Sequence, residues 1–356
     1  MSLSSAGLAE LQEAAESTLA RPSAAQLLPT AQAAEGIPRL ERMLLAAAQE
    51  APAQLKLAAA DLVRSGGKRV RPLLVLLSAR AAAPSRRGRG RVALALIAEL
   101  VHSATLLHDD VIDDGLTRRG LPAPRVAYGN GVSVLAGDWL LTTSLDLAFR
   151  SRVPEVPQAL VKTLRQLVEG EARQLALRGS LDFTPDDALL IARLKTASLF
   201  GWAAEAGALA ARAPLPVREA LRSFGLHAGT AFQIADDLLD FEAEAATLGK
   251  AVLADVAEGK PSLPLAIGLD RLPVLREEMA VLIQAVAEPR NTGDDLLRAR
   301  IQAFADKLSH TGALGAARRV AEKERDAALV ALEQVPESQT RDLLGFVARS
   351  LLDRKS

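Results

Sequence analysis

Residues 100–120 read LVHSATLLHDDVIDDGLTRRG, an apolar, helix-forming run that ends in four aspartates and two arginines. Asp109 and Asp113 are four residues apart, so on a helix their carboxylates lie on one face, one turn from each other. Carboxylates crowded in this way repel one another unless a cation lies among them. The stretch therefore predicts a helix whose acidic end binds positive charge.

A second copy of the D-D-x-x-D spacing occurs in GTAFQIADDLLD, residues 229–240, again within an apolar helical pattern. A single cluster is typical of an acidic helix face in water, but two copies in apolar sequence favour a common function. Mg²⁺ prefers oxygen ligands and is commonly bound through one or two carboxylates together with substrate phosphates. Because the chain has no cysteine and only 4 histidines, a soft-metal or imidazole-rich site is not expected. We therefore predict that the clusters bind Mg²⁺ and a phosphate-bearing ligand.

Basic residues suited to phosphate occur at several points of the chain. Each is weak evidence alone, because a lysine or arginine on a helix is usually solvated. The sequence lacks the GxxxxGK[ST] signature, which argues against a P-loop nucleotide enzyme. Together these cations are numerous enough to hold two diphosphates: Lys68, Arg69, Arg71, Arg118, Arg119, Lys195, Lys250 and Lys260.

Composition predicts the fold class and excludes some functions. Lys plus Arg and Asp plus Glu both number 43, so there is no basic excess of the kind that nucleic-acid binding requires. Ala, Leu, Glu, Arg and Gln fill long segments and aromatic residues make up 3%, which predicts an all-α protein. Thr184 followed by Pro185 predicts a helix start. With no Gly/Ser linker to divide it, we expect an Ala-rich extension over residues 1–36, partly helical or flexible, and one domain over 37–356.

The sequence also predicts a cellular location. The N-terminus lacks a positive region followed by a continuous apolar core, so we do not expect a secretory signal. No uninterrupted apolar run approaches the roughly 18 residues needed to span a bilayer. We therefore expect a soluble, cytoplasmic protein without an integral membrane segment.

Taken together, these motifs resemble those of the trans-isoprenyl diphosphate synthases, and within that family the long-chain all-trans-polyprenyl type (octaprenyl to decaprenyl). They stand in the order and spacing typical of the family from Ser65 to Leu265. The motifs are GGKRVRP, HSATLLHDDVIDD, RRG, LKTASLF, GTAFQIADDLLD and LGK with EGKPSLPL. The resemblance implies a single large helical bundle with a central apolar cavity, and a homodimer.

The resemblance also implies a reaction. Isopentenyl diphosphate would be condensed head-to-tail onto an allylic diphosphate such as farnesyl diphosphate, after ionisation assisted by two or three Mg²⁺ ions per active site. The metal and the basic side chains would stabilise the negative charge that develops on the departing diphosphate. The departing diphosphate is itself the expected base, which is consistent with the lack of an evident Ser-His-Asp arrangement.

The site residues that the resemblance implies fall into groups. The isopentenyl diphosphate clamp would be Lys68, Arg71, His102 and Arg119. The allylic diphosphate would be held by Arg118, Lys195, Thr196, Gln233, Lys250 and Lys260. The Mg²⁺ ligands would be Asp109, Asp113 and Asp236, supported by Asp110, Asp237 and Asp240. Catalysis would depend chiefly on Asp109, Asp113, Asp236, Lys195 and Arg118. One departure is Ala254-Asp255, where the family often has Gly-Asp.

Two small residues, Ala104 and Thr105, predict the product length. In the family the positions four and five before the first aspartate face the growing chain, and a bulky aromatic there stops growth. Helix geometry places Thr105 beneath Asp109, whereas the role of Ala104 follows from the resemblance alone. We therefore expect a C40 to C50 product, the precursor of a respiratory quinone side chain such as that of ubiquinone.

Three alternatives stay open at this point. The first is a shorter-chain prenyl diphosphate synthase that makes C15 to C20 products. The second is a helical metal-dependent phosphohydrolase of the His-Asp type, suggested by His108-Asp109, which leaves the second acidic cluster unexplained. The third is an inactive regulatory subunit, although such subunits lose aspartates or basic residues that this chain keeps.

Overall fold

The computed structural model of the chain describes residues 36–83, 90–242, 253–287 and 295–352. The predicted N-terminal extension, apart from Gly36, lies outside these ranges, as does Lys250. Helices dominate the described residues, which confirms the predicted all-α class. The exception is a short antiparallel hairpin of β1 (Thr117–Arg118) and β2 (Leu121–Pro122), in which Arg118 lies opposite Leu121.

The helices follow one another along the described chain. They are α1 Ile37–Gln49, α2 Ala53–Arg64, α3 Val70–Ala82, α4 Arg91–Ile112, α5 Pro124–Tyr128, α6 Asn130–Arg150, α7 Glu155–Leu177, α8 Pro185–Ala192, α9 Ser198–Ala210, α10 Leu215–Glu242, α11 Ala254–Glu258, α12 Leu263–Arg271, α13 Val274–Ala287, α14 Asp295–His310, α15 Ala313–Leu332 and α16 Gln339–Ser350. A π-helical turn, Arg193–Ala197, joins α8 to α9.

The chain forms two compact units. Of the described residues, the first unit contains 36–83, 90–160, 203–221 and 334–352, and the second contains 161–202, 222–242, 253–287 and 295–333. Helices α1 to α6 belong to the first unit and helices α11 to α15 to the second. The single domain expected over residues 37–356 stays a prediction.

Helix α4 forms the core of the first unit. The apolar residues that recur every three or four positions along α4 are fully buried, as the sequence pattern predicts. Helices α3 and α6 pack on α4. The His108 ring packs directly on Gly137 of α6, since a Cβ atom there would lie 2.4 Å from His108 Nε2 and would force the ring to move. This packing fixes the end of α4 that carries the first acidic cluster.

In the second unit, α10 packs closely on the start of α9. A Cβ atom on Gly229 would lie 2.7 Å from Ala197 Cα, so this contact needs a residue without a side chain. The rings of Phe200 and Phe232 meet with their centroids 5.2 Å apart. The second acidic cluster is thereby held against the π-helical turn.

Helix α8 begins where the sequence predicts. Thr184 is its N-cap, Pro185 follows, and the Thr184 hydroxyl and Asp187 carboxylate form a reciprocal capping box. Hydrogen bonds from Thr184 hold the pKa of Asp187 below its usual value. The position of this cap fixes the register of α8 and of the π-helical turn that follows.

Two helices, α4 and α6, are long and apolar enough to cross a bilayer by length and composition alone. Core helices of soluble proteins pass the same test, and in α4 61% of the apolar window is buried. In α6 33% of the window is buried. The cytoplasmic location and the lack of a membrane segment stay predictions.

Candidate active site

The first acidic cluster lies at the C-terminal end of α4. Asp113 is the C-cap residue, and its N–H donates to the carbonyl oxygen of Asp109 at 2.8 Å. The C-terminus of a helix carries partial negative charge, and the last turn of α4 contains no basic residue. Aspartates at this position are electrostatically unfavourable by themselves, so the helix end attracts a cation.

The middle aspartate of this cluster is bound by an arginine of the hairpin. Arg118 donates from Nε to both carboxylate oxygens of Asp110 at 2.9 Å, and from Nη2 to Oδ1 at 2.7 Å. Asp110 is only 3% exposed, so its charge is compensated inside the protein. The structure thus places Arg118 on Asp110, while its role toward an allylic diphosphate stays a prediction.

The second cluster lies near the C-terminal end of α10, and its middle aspartate has neutral partners. Gln233 Nε2 donates to Asp237 Oδ1 at 2.9 Å, and the Leu263 N–H donates to Oδ2 at 3.3 Å. The pKa of Asp237 is raised to about 7, chiefly by burial and in part by the charges of Asp236 and Asp240, while the two hydrogen bonds oppose the rise. Asp237 therefore orients the Gln233 amide. The role of Asp237 toward a metal stays a prediction.

The Gln233 amide in turn connects α10 to the π-helical turn. The Thr196 hydroxyl donates to Gln233 Oε1 at 2.6 Å, so Thr196, Gln233 and Asp237 form one hydrogen-bonded chain. Single π-helical turns are frequent at functional sites because they change the direction of a side chain within a helix. Here the turn presents Lys195 and Thr196 to the second cluster.

These residues line one cavity of about 170 Å³ within the second unit. It brings together five residues that the sequence predicts for substrate or metal: Lys195, Thr196, Gln233, Asp237 and Lys260. Glutamates hold both lysines, since Lys195 Nζ pairs with Glu171 and Lys260 Nζ lies 2.9 Å from Glu258 Oε2. The cavity therefore presents positioned ammonium groups, which suits a phosphate-bearing ligand.

A cluster of basic residues surrounds His102 in the first unit. Burial lowers the pKa of His102 well below its usual value, and the nearby positive charges of Arg71, Arg119, Arg118 and Arg69 lower it further. Arg119 packs on the Gly-Gly turn, since a Cβ atom on Gly67 would lie 2.9 Å from Arg119 Nη2, and its Nη1 donates to Ser65 Oγ at 3.2 Å. Three predicted clamp residues, Arg71, His102 and Arg119, thus lie close together, and the fourth, Lys68, follows Gly67 and is exposed. Such a cluster of neighbouring cations suits an anion.

His108 has a packing role that the sequence did not reveal. Its Nε2 atom lies 3.2 Å from the Val134 carbonyl oxygen and 3.2 Å from Asp138 Oδ1 on α6. Within the described ranges, no group of three or more His, Cys, Asp or Glu residues is arranged as a metal cluster. His108 is thus directed toward α6, which gives the His-Asp phosphohydrolase alternative no geometric support.

The aspartates fit a hard divalent cation by their chemistry. Asp109 and Asp113 in the first unit and Asp236 and Asp240 in the second are partly exposed carboxylates close to helix C-termini. All of these donors are oxygens, which Mg²⁺ and Ca²⁺ prefer. The donor set therefore matches the predicted metal type.

Residues that the sequence-based prediction missed are acidic partners of the predicted basic ones. Glu171 pairs with Lys195, and Glu99 forms a buried ion pair with Arg69. Glu99 carried a signal, since it is a single charge within the apolar run RVALALIAELV. For Glu171 no local pattern indicates the contact, because its partner is 24 residues away in the chain.

Comparison with known proteins identifies the family. The polyprenyl synthetase family model matches residues 52–299. The chain belongs to the polyprenyl synthetase family. It is 35% identical over 293 residues to the octaprenyl diphosphate synthase of Escherichia coli, covering 82% of this chain and 88% of that protein. This confirms the prenyltransferase class that the motifs predicted.

Other relatives differ in the product that their names state. The chain is 34% identical over 313 residues to a short chain isoprenyl diphosphate synthase of Methanothermobacter thermautotrophicus, covering 85% of this chain and 91% of that protein. A crystal structure of a Caulobacter crescentus polyprenyl synthase, complexed with calcium and isoprenyl diphosphate, superposes with a TM-score of 0.83 at 33% identity. That match covers 92% of this chain and 97% of the other. Sequence identity alone therefore does not show whether an enzyme of this family makes long-chain or short-chain products.

Proposed function

We propose that this chain condenses isopentenyl diphosphate onto an allylic diphosphate such as farnesyl diphosphate and makes a long all-trans polyprenyl diphosphate. The observation that carries the proposal is the arrangement along α4, where a cluster of basic residues surrounds His102 and two partly exposed carboxylates follow at Asp109 and Asp113. Seven residues of α-helix separate His102 from Asp109 by about 10 Å. One helix end thus offers an anion-binding group beside a cation-binding group.

Different residues of the chain would bind the two substrates. Lys68, Arg71, His102 and Arg119 would bind the diphosphate of isopentenyl diphosphate and orient its double bond. Lys195, Lys260 and Lys250 would bind the allylic diphosphate, where positive charge favours departure of the leaving group. Thr196 and Gln233, which share a hydrogen bond, would complete the allylic diphosphate site together with Arg118.

Asp109, Asp113 and Asp236 would be the main Mg²⁺ ligands, with support from Asp240. When bound, Mg²⁺ supplies charge stabilisation to the leaving diphosphate. The related crystal structure, which is complexed with calcium and isoprenyl diphosphate, supports a divalent metal at such a site. Asp110 and Asp237 are both buried, so we assign them to the support of the metal ligands.

Incorporation of labelled isopentenyl diphosphate tests the proposal. Purified chain, farnesyl diphosphate and Mg²⁺ are expected to convert the label into an acid-labile prenyl product, and chelation with EDTA is expected to abolish the conversion. Failure of the purified chain to incorporate label would contradict the proposal and favour the regulatory-subunit alternative. Release of phosphate from nucleotides would favour the phosphohydrolase alternative.

The long product is supported by the small residues beneath the first cluster. Ala104 is buried and Thr105 is half-buried on α4, and neither is an aromatic residue that would block a growing chain. A C15 to C20 product is the second candidate, because relatives of similar identity include a short-chain enzyme. The variant Ala104→Tyr is expected to shift the product to shorter prenyl chains. An unchanged product distribution would contradict the assignment of Ala104 to chain length.

A homodimer is supported by the apolar surface of α6. Leu135 and Phe149 are 55% and 71% exposed and, 14 residues apart, lie on nearly the same face of this helix. Light scattering is expected to give twice the 37.6 kDa mass of one chain. The double variant Leu135→Asp with Phe149→Asp is expected to be monomeric, whereas Val281→Asp on α13 serves as a control for an exposed apolar residue elsewhere. A monomeric wild-type chain would contradict the homodimer.

A further inference from the structure

The loop that carries the predicted isopentenyl diphosphate clamp has an unusual backbone. Gly66, Gly67 and Arg69 have φ angles of 78°, 145° and 47°, so three of four consecutive residues have positive φ. Glycine tolerates this region, but for arginine it is strained. A strained residue persists when surrounding contacts hold it in place. The structure must therefore contain contacts that fix Arg69.

Those contacts form a buried ion pair. Arg69 Nη1 donates to Glu99 Oε1 at 2.6 Å, and Arg69 Nη2 donates to the Val63 carbonyl oxygen at 3.0 Å. Both charged side chains are only 5% exposed. Glu41 adds a weaker ionic contact at the rim, 3.5 Å from Arg69 Nε. The guanidinium is thus held by α1, by the end of α2 and by α4.

The pair lies between the residues of the predicted clamp. Arg69 is the neighbour of Lys68 and two residues before Arg71, and Glu99 is three residues before His102 on α4. Residues three apart lie on the same helix face, so Glu99 joins the loop to the helix surface that carries His102. Fixing Arg69 therefore fixes Lys68 and Arg71 relative to His102.

We propose that the buried Arg69–Glu99 pair positions the Gly66–Arg71 loop and thereby sets the affinity of the enzyme for isopentenyl diphosphate. Arg69 and Glu99 are positioning residues, since both side chains are buried and face each other. The inference rests on the proposed function, because it takes Lys68, Arg71 and His102 as the isopentenyl diphosphate clamp. It predicts an effect that is selective for one of the two substrates.

The variant Glu99→Gln tests the selectivity. It keeps the shape of the side chain but removes the charge that holds the guanidinium. We expect the KM for isopentenyl diphosphate to rise at least tenfold, whereas the KM for farnesyl diphosphate and kcat at saturating isopentenyl diphosphate change less than threefold. Calorimetric titration with isopentenyl diphosphate alone is expected to show the same loss of affinity without turnover.

A second variant separates positioning from folding. Replacement of a buried ion pair by apolar residues is often neutral or stabilising, so Arg69→Met with Glu99→Leu is expected to fold with a Tm at or above that of the wild type. Its affinity for isopentenyl diphosphate is still expected to fall at least tenfold, because nothing anchors the loop to Val63 and α4. Glu155→Gln is the matched control, since it removes a half-exposed partner of Arg218 in the same unit and is expected to change neither KM.

The outcomes are distinct. Wild-type affinity for isopentenyl diphosphate in either folded variant would overturn the positioning role, as would an equal rise in the KM of both substrates. If the wild-type chain incorporated no isopentenyl diphosphate, the proposed function would fail instead. The titration would then still decide whether the pair controls binding of that diphosphate.

Discussion

At the end of α4 the middle aspartate of the D-D-x-x-D motif is held by an arginine, whereas near the end of α10 it is held by an amide. Arg118 binds Asp110 through two nitrogens, and Asp237 accepts from Gln233 and from the Leu263 backbone. The same five-residue pattern therefore has a charged partner in one unit and neutral partners in the other. The comparison teaches that two copies of one motif hold the middle carboxylate with different partners, while a common chemistry of the outer carboxylates stays a prediction.

The comparison predicts equal losses of activity at the first aspartate of each cluster. Asp109→Asn and Asp236→Asn are each expected to lower kcat about 10³-fold, because each removes a predicted ligand of the metal that stabilises the leaving diphosphate. Asp114→Asn is the control, since this side chain is 83% exposed and paired with Arg125. Steady-state kinetics at saturating Mg²⁺ measure the three variants. A loss below tenfold at only one cluster would show that the clusters do not share a function.

The two middle aspartates are expected to differ in stability. Asp110→Asn leaves the Arg118 guanidinium without its anionic partner, which for a buried pair costs about 3 to 5 kcal/mol. Asp237→Asn disturbs hydrogen bonds to neutral donors and is expected to cost about 1 to 3 kcal/mol. Urea unfolding monitored by circular dichroism measures both costs. Equal costs, or the reverse order, would contradict the different roles that the contacts indicate.

Glu324 in the second unit is an acidic residue outside the predicted site, and it serves as a comparison for the aspartates of the two clusters. Burial alone would raise its pKa, but hydrogen bonds from His227 and Arg193 and their charges outweigh burial, so the pKa lies below the usual 4.5. A lowered folded-state pKa stabilises the protein above the unfolded-state pKa, and this stability is lost as the pH falls through the folded-state pKa. Glu324→Gln is therefore expected to cost about 1.5 to 3 kcal/mol at pH 7.

Thermal unfolding at a series of pH values measures how much the Glu324 charge contributes to stability. The Tm difference between wild type and Glu324→Gln is expected to shrink as the pH falls below 4.5. Glu322→Gln, two residues away on α15, is the control and is expected to change the Tm little at any pH. A difference that stays constant down to low pH would contradict the assignment of this stability to the Glu324 charge.

The smallest expected effect concerns the hydrogen-bonded chain of Thr196, Gln233 and Asp237 at the second cluster. Thr196→Val removes the hydroxyl that donates to Gln233 and is expected to lower kcat up to about tenfold, the value of one hydrogen bond. Thr230→Val is the matched control, since the Thr230 hydroxyl donates to a backbone oxygen within α10. Equal kinetics of the two variants would contradict a role for the Thr196 hydroxyl in the reaction.

Much of this molecule could be predicted from short-range patterns. The helix class follows from composition, and the start of α8 follows from Thr184 and Pro185, because both depend on residues close in the chain. Carboxylates crowded on one helical turn repel one another. The sequence predicted a cation among them, and one such cation is Arg118 of the same chain.

The other features of the fold and of the candidate site depend on contacts that the spacing of residues in the sequence does not encode. The π-helical turn Arg193–Ala197 inserts one residue into a helical repeat, and apolar periodicity is too coarse to detect it. The pairing of Arg69 with Glu99 joins residues 30 apart, so it follows from the packing of α3 on α4. The contact of Arg118 with Asp110 could not be predicted either, because spacing does not show that Asp110 is buried beside it, and the role of Arg118 toward the allylic diphosphate stays a prediction.

Mass spectrometry of the dephosphorylated product tests the central claim most directly. Purified wild-type chain, farnesyl diphosphate, isopentenyl diphosphate and Mg²⁺ are expected to give all-trans prenyl alcohols of C40 to C50. A mixture that stays at C15, the unextended primer, would contradict the proposed prenyl transfer, and a main product of C20 would contradict the long-chain assignment.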